Sequence, residues 1–272
     1  MPPELLAGHQ GRIQLTLEAG LEEIGLALPT DRIEALEHFL ALLQRWNRVY
    51  NLTAVRDPQD MLVQHLLDAL AIIPILGERA RAPASAQGAV ATPSASMQAM
   101  SRSARPEDSP LAALAGLRIA DLGSGAGIPG LVLALACPEM HLLSIEPVGK
   151  KCAFQQQVVS ESGLAHVEVK QARAEEIQRV CDLVLCRALT SLSEFIRISS
   201  GLIDSHTWLC ALKGRRVEID AELSELPEGW EAEVQPVTVP GLDAERHLVF
   251  MHRQAPGSGA GAGATAARQP QP

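Results

Sequence analysis

The chain of 272 residues is poor in aromatics: one tyrosine, three tryptophans and four phenylalanines make up 3% of it. Its core must therefore be aliphatic, which a hydrophobic fraction of 47% allows. A basic excess is also missing. The formal net charge is −9, which excludes a general coat for nucleic acid. A nucleic-acid partner would have to meet a local basic patch. The five cysteines, Cys137, Cys152, Cys181, Cys186 and Cys210, are odd in number and form no C-x-x-C pair. That argues against a disulfide framework or a zinc site and fits a reducing cytosol; no metal is expected. The N-terminus lacks a basic-then-apolar signal pattern. No apolar run approaches the roughly 18 residues of a membrane span. A cytoplasmic protein without a membrane partner is expected.

Composition divides the chain. Residues 81–110 are mostly Ala, Ser and Pro, and 254–272 are rich in Gly, Ala and Pro. Neither stretch can bury enough apolar surface to offset its ordering entropy, so both are expected to be disordered. A helical cap over 12–80 and a core over 111–253 remain. In the cap, Ile33, Leu36, Phe39, Leu40, Leu43 and Trp46 recur at helical spacing, with Thr30 or Asp31 as candidate cap. Asp57-Pro58 reads as the N-cap and first residue of a second helix carrying Met61, Leu62, His65, Leu66, Ala69, Ile72 and Ile73. From 117 onward strands alternate with helices, ending in a hairpin over 231–239 and 246–252. This predicts a doubly wound, mostly parallel α/β sheet with an antiparallel C-terminal edge.

The most informative stretch is 119–130, Ile-Ala-Asp-Leu-Gly-Ser-Gly-Ala-Gly-Ile-Pro-Gly. Gly123, Gly125 and Gly127 crowd the turn between a buried strand and a helix, where backbone can approach a ligand. The formal G-x-G-x-x-G match fits dinucleotide enzymes too. Asp121 precedes the glycines, where it would oppose a pyrophosphate and suit the ammonium of S-adenosylmethionine; a plain helix-capping carboxylate is the other reading. Glu146 ends the next strand and could accept from ribose hydroxyls of either cofactor, or be a solvated strand end. The hairpin favours a methyl donor over a dinucleotide.

No Asn/Asp-Pro-Pro-aromatic motif follows the fourth strand, which disfavours methylation of an exocyclic amine. No Pro-Cys nucleophile is present, which disfavours covalent C5 methylation; Cys186 reads as a small buried hydrophobe. Arg187 stands at that strand end instead. Arginine suits guanine O6 and N7 or a phosphate, although a surface ion pair is also possible there. Guanine N7 carries a lone pair and no proton, so its methylation needs positioning and no obligatory base. Two other classes stay open: a small-molecule methyltransferase, and a module that binds the donor without turnover.

Trp46 to Thr53 with Arg56-Asp57-Pro58, His65-Leu66-Leu67-Asp68, Asp121 to Gly130, Arg173 to Glu176, Arg187-Ala188, Ala211 to Gly214 and Glu245 to Val249 occur in one order over nearly all of the expected ordered chain. In these segments the chain resembles the glucose-inhibited division protein B family, guanine-N7 methyltransferases of 16S ribosomal RNA. The resemblance implies a class I S-adenosylmethionine-dependent methyltransferase fold with an N-terminal helical cap. It implies a cofactor held by Gly123, Ile128, Ala174, Glu175 and Arg187, beside Asp121, Gly125, Gly127 and Glu146. It also implies 16S rRNA or the small ribosomal subunit as partner; a monomer is expected. Asn51, Arg56, His65 and Asp68 are candidates for a substrate wall, with a purely structural pair as the alternative for His65 and Asp68. Arg187, Lys213 and Arg246 are candidates for positioning, with no residue assigned to acid-base catalysis. Lys150, Lys151, Lys213 to Arg216, Arg246 and His247 could form the basic patch, or be solvated charges. The 81–110 insertion, the tail and Leu189, where an aromatic is common, depart from the family pattern.

Overall fold

The computed structural model describes residues 15–81, 109–187 and 190–254. Seven strands form one sheet: β1 Arg118–Leu122, β2 His141–Ile145, β3 Val167–Lys170, β4 Leu183–Arg187, β5 Trp208–Lys213, β6 Trp230–Pro236 and β7 His247–Arg253. Their order is β3-β2-β1-β4-β5-β7-β6. β1 to β5 are parallel, and β7 runs antiparallel to both β5 and β6. The sheet is the expected one, with its antiparallel edge.

Both faces are covered, so β1, β2 and β4 read as near-continuous apolar runs. Side chains still alternate between the faces. Ile119, Leu142, Leu185 and Phe250 join one buried cluster; Ala120, Leu143, Val184 and Val249 join the other. α7 (Gly130–Ala136) is buried all round, and with α8 (Gly149–Glu161) it fills the first face. α9 (Leu192–Ile198) and α10 (Arg216–Leu223) fill the second.

The cap lies over α7 and α8. It contains α1 (Leu17–Ile24), α2 (Thr30–Tyr50) and one long helix, Pro58–Arg81. Its Leu36, Phe39, Leu43, Leu66 and Leu70 share a single apolar cluster with Leu131 and Leu135 of α7, so the cap completes the core and does not merely adjoin it. The long helix comprises α3 (Pro58–Met61), a π turn (Leu62–Leu67), α4 (Asp68–Leu70) and α5 (Ile73–Arg81). It is long and apolar enough to cross a membrane, where the sequence suggested no such stretch; most of it is buried inside the fold, as a core helix is.

Several local expectations need correction. Pro29, and neither Thr30 nor Asp31, is the N-cap of α2, and it makes no side-chain cap bond. Asp57 does cap α3, accepting from the amides of Gln59 (2.9 Å) and Asp60 (3.0 Å). The insertion is shorter than its composition suggests. Arg81 closes α5, while Ser109 caps α6 (Pro110–Leu114). Residues 82–108, the tail from 255, and Ala188 and Leu189 lie outside the described residues.

Candidate functional site

The carboxyl ends of β1, β2 and β4 lie level, with Leu122 opposite both Ile145 and Cys186. The strand order reverses between β1 and β4, and ligands of such sheets bind in the crevice beyond that point. The glycine turn stands there. Gly123, Gly125 and Gly127 have φ of 64°, 60° and 77°, which side chains with a Cβ disfavour. The turn is anchored from several directions. Gly123 N–H donates to Ile145 O (2.9 Å), and Gly125 N–H donates to Glu146 Oε2 (2.8 Å). Gln155 Nε2 on α8 donates to Gly125 O (2.8 Å) and Ser124 Oγ (2.7 Å), and Ser144 Oγ lies 2.7 Å from that same hydroxyl. Gln155 and Ser144 are wholly buried. Sequence reasoning missed both, although a glutamine between Phe154 and Val158 and a serine amid Leu142-Leu143-Ile145 are the polar interruptions that could have found them.

Glu146 is buried, so the solvated strand end is not what forms. Its Oε1 accepts from Val148 N–H (2.9 Å), and Lys151 Nζ is 4.0 Å from Oε2. A carboxylate can accept about four hydrogen bonds, so two acceptor positions remain. Ala174 is buried and Glu175 exposed in a 3₁₀ turn after β3, Ala174–Glu176. Glu175 pairs with Arg197 (3.3 Å). Ile128 is buried beside the turn.

Asp121 is wholly buried. Its Oδ2 accepts from Gly130 N–H (2.9 Å) at the start of α7, so it is a helix-capping carboxylate. Its Oδ1 is buried with no hydrogen-bond partner, which capping alone leaves unexplained. Burial pushes this carboxyl up to about 7; the Gly130 amide and the Arg187 guanidinium pull it down, and Glu146 adds to the rise. An acid whose pKa is raised in the fold from 3.8 favours the folded state most below 3.8. Stability is lost as pH climbs from there through 7, by roughly 4 kcal/mol at most at 1.36 kcal/mol per unit. Without cofactor, the melting temperature of Asp121→Asn relative to wild type is therefore expected to rise from pH 5 to pH 8. A parallel pair of melting curves would show that Asp121 is already ionised at pH 5.

Two arginines converge on one carboxylate across the crevice. Asp68, 4% exposed, accepts from Arg246 Nε at Oδ1 (2.9 Å), and its Oδ2 lies 3.1 Å from Arg187 Nη2. Arg187 Nη2 also donates to Gln64 O in the π turn (2.8 Å). His65 is buried in that turn, with Nε2 3.0 Å from Thr53 Oγ1 and Nδ1 unpartnered. Burial, then Arg187, lowers its pKa, which favours the neutral imidazole. Asn47 holds the loop beneath, donating to Val55 O (3.0 Å) and accepting from Thr53 N–H (2.9 Å). His65, Asp68, Arg187 and Arg246 thus form one cluster, joining β4, the residue ahead of β7 and the cap.

Other expected residues lie apart from it. Asn51, with φ 49°, ends α2, and Arg56 Nη2 donates to its Oδ1 (2.8 Å) at the surface. Lys213 does not face outward: its Nζ donates to Thr190 O (2.7 Å) and is paired with Glu222 (2.8 Å) at 16% exposure. This takes it out of the expected basic patch. Arg215 and Arg216 pair with Glu218 and Asp220 on their own helix, and His247 Nδ1 lies 2.7 Å from Gly214 O. Lys150 Nζ donates to Tyr50 O (2.8 Å). Among the described residues no group of His, Cys, Asp or Glu could hold a metal.

Comparison with known proteins adds an independent line. The family described as rRNA small subunit methyltransferase G matches residues 32–83 and 109–249. The ribosomal RNA small subunit methyltransferase G of Cupriavidus pinatubonensis is 41% identical over 244 residues, covering 88% of this chain and 93% of its own. The protein of that name from an Azoarcus species is 38% identical over 252 residues, covering 92% and 99%. Solved structures are more distant. TrmN from Thermus thermophilus shares 18% identity at a TM-score of 0.42, covering 51% of this chain and 44% of its own.

Proposed function

The chain belongs to the rRNA small subunit methyltransferase G family, and from that premise we propose that it transfers a methyl group from S-adenosylmethionine to N7 of one guanine in small-subunit ribosomal RNA. The observation that carries this reading is Asp121 Oδ1, a buried and unpartnered carboxylate oxygen beside an open glycine turn, within electrostatic reach of Arg187. An ammonium group fits that oxygen and would supply the hydrogen-bond donor it lacks.

The residues fit the cofactor as follows. Asp121 would take the methionine ammonium, and Gly123, Gly125 and Gly127 would let backbone approach. The two remaining acceptor positions of Glu146 would take the ribose hydroxyls. Ile128, Ala174 and Glu175 would border the base. When bound, S-adenosylmethionine supplies a methyl group on a positively charged sulfur. The protein's own task is then to hold guanine N7 in line and keep water out. N7 has a lone pair and loses no proton, so no side chain acts as a base and no bond to the enzyme forms. Arg187 and Arg246, fixed by Asp68, are donors suited to guanine O6 and the adjoining phosphates. His65 is neutral and walls the pocket with Thr53. The five cysteines are all buried, which suits a reducing compartment, and the enzyme acts as a cytoplasmic monomer.

The test is methyl transfer from labelled donor to three acceptors: small ribosomal subunits, purified 16S rRNA and a metabolite extract. Label is expected in the rRNA as 7-methylguanosine by mass spectrometry. Label confined to the metabolite fraction would sink the proposal.

A further inference from the structure

Four of the chain's eight aromatic side chains form one ladder. Phe39 and Phe154 have ring centroids 5.9 Å apart, Phe154 and Trp46 5.7 Å, and Trp46 and Tyr50 4.9 Å. Phe39 and Phe154 are fully buried, and Trp46 is pinned by its Nε1–H to Gln157 Oε1 (2.9 Å). The ladder surfaces at Tyr50, which is 44% exposed and lies against Trp46 on its inner side. Beside it Val49 is 69% exposed, and Val148, two residues from Lys150, is 39% exposed. These are three of the five large apolar side chains left exposed among the described residues. Core packing does not require a rigid aromatic stack that ends in solvent.

The surroundings are cationic in a protein of net charge −9. Lys150 Nζ donates to Tyr50 O, and Arg56 donates to Asn51, the next residue along. Arg48 and Arg56 line one small cleft. The nearest acid on the loop, Asp57, turns its carboxylate onto its own helix amides. The position is also close to the crevice. Lys150 is the second residue of α8, and its neighbour Lys151 brings its Nζ to 4.0 Å from Glu146, which holds the glycine turn.

We propose that Tyr50, backed by Trp46, is a stacking platform for an unpaired RNA base flanking the methylated guanine, with Arg48, Arg56 and Lys150 taking its phosphates. Sequence-selective RNA recognition relies on unstacked bases laid on aromatic rings, and phosphate contacts set the register. Tyr50 is the single exposed aromatic of this kind among the described residues, so one side chain carries the contact. The platform rests on the proposed RNA substrate and deepens it, since it says where the strand enters.

The experiment is methylation kinetics of the full chain on small ribosomal subunits, with cofactor affinity measured by calorimetry. Tyr50→Ala is expected to raise the KM for the subunit about tenfold, the usual cost of one lost base stack. Its Kd for S-adenosylmethionine is expected to equal that of the wild type, and Tyr50→Trp is expected to keep the wild-type KM. An unchanged KM in Tyr50→Ala, or the same loss in Tyr50→Ala and Tyr50→Trp, overturns the platform. If the wild-type protein methylates neither the subunit nor purified 16S rRNA, the substrate reading falls separately. Binding of a fluorescent single-stranded RNA then decides the platform, and equal affinity of wild type and Tyr50→Ala refutes it.

Discussion

Asp68→Ala is expected to destabilise the protein by about 3–5 kcal/mol and to depress methyl transfer at least a hundredfold, the largest combined loss of any single change in the cluster. The reason is the ratio of charges. One carboxylate, 4% exposed, neutralises two guanidiniums, Arg187 at the end of β4 and Arg246 just ahead of β7. Removing it leaves two partly buried cations facing each other, and both lose the partner that sets their direction. Asp68→Asn keeps a hydrogen-bond acceptor without the charge and should fall between alanine and wild type. The measurements are urea unfolding and single-turnover transfer on the same preparations. In the double variant Asp68→Ala, Arg246→Met, one of the stranded cations is gone, so part of the stability should return while activity stays low. An Asp68→Ala protein within 1 kcal/mol of wild type would mean that water satisfies the arginines equally well.

The second large effect separates two glycines two residues apart. Gly125→Val is expected to leave a folded protein whose affinity for S-adenosylmethionine drops at least a hundredfold. Gly127→Val is expected to compromise folding itself. Both residues have positive φ, so any β-branched replacement is strained by about 1–2 kcal/mol. Their surroundings differ. A Cβ at Gly125 meets nothing nearer than Gly123 O at 3.9 Å and would enter the open cradle. A Cβ at Gly127 would fall 2.4 Å from Leu131 Cδ1, inside the packed start of α7. Thermal melts combined with titration calorimetry distinguish the two cases. A Gly125→Val protein that binds the cofactor normally would place the donor elsewhere.

Much of the fold is written locally. The β-α alternation is legible because strands covered on both faces are nearly all apolar, and the glycine turn is legible because few residues tolerate its dihedral angles. The sequence left two readings of Asp121, a helix cap and a partner for an ammonium. The geometry divides them between its two oxygens: one caps α7, and the other is without a partner. What stayed hidden is non-local. Nothing near Asp68 announces that residues 119 and 178 positions away will share its carboxylate. The inward turn of Lys213 depends in the same way on Glu222, which α10 brings beneath it. Nothing in the local sequence marks the π turn at Leu62–Leu67, and such turns recur at functional sites.

The packing of α5 against α6 has a consequence for how this chain can vary. Gly77 faces Pro110 so closely that an added Cβ would lie 2.7 Å from the proline Cα. Arg81 ends one helix a turn later, and Ser109 starts the other. The two ends of the 27-residue connection are therefore clamped side by side whatever runs between them. For a flexible stretch added between these ends, each doubling of its length would cost only about 0.6 kcal/mol of closure entropy. The clamp sits ahead of the amino end of β1, a strand's length from the crevice. Extra chain can thus be inserted, lengthened or fused at this point with little effect on methyl transfer. A reporter domain placed there would sit at the end of β1 opposite the glycine turn.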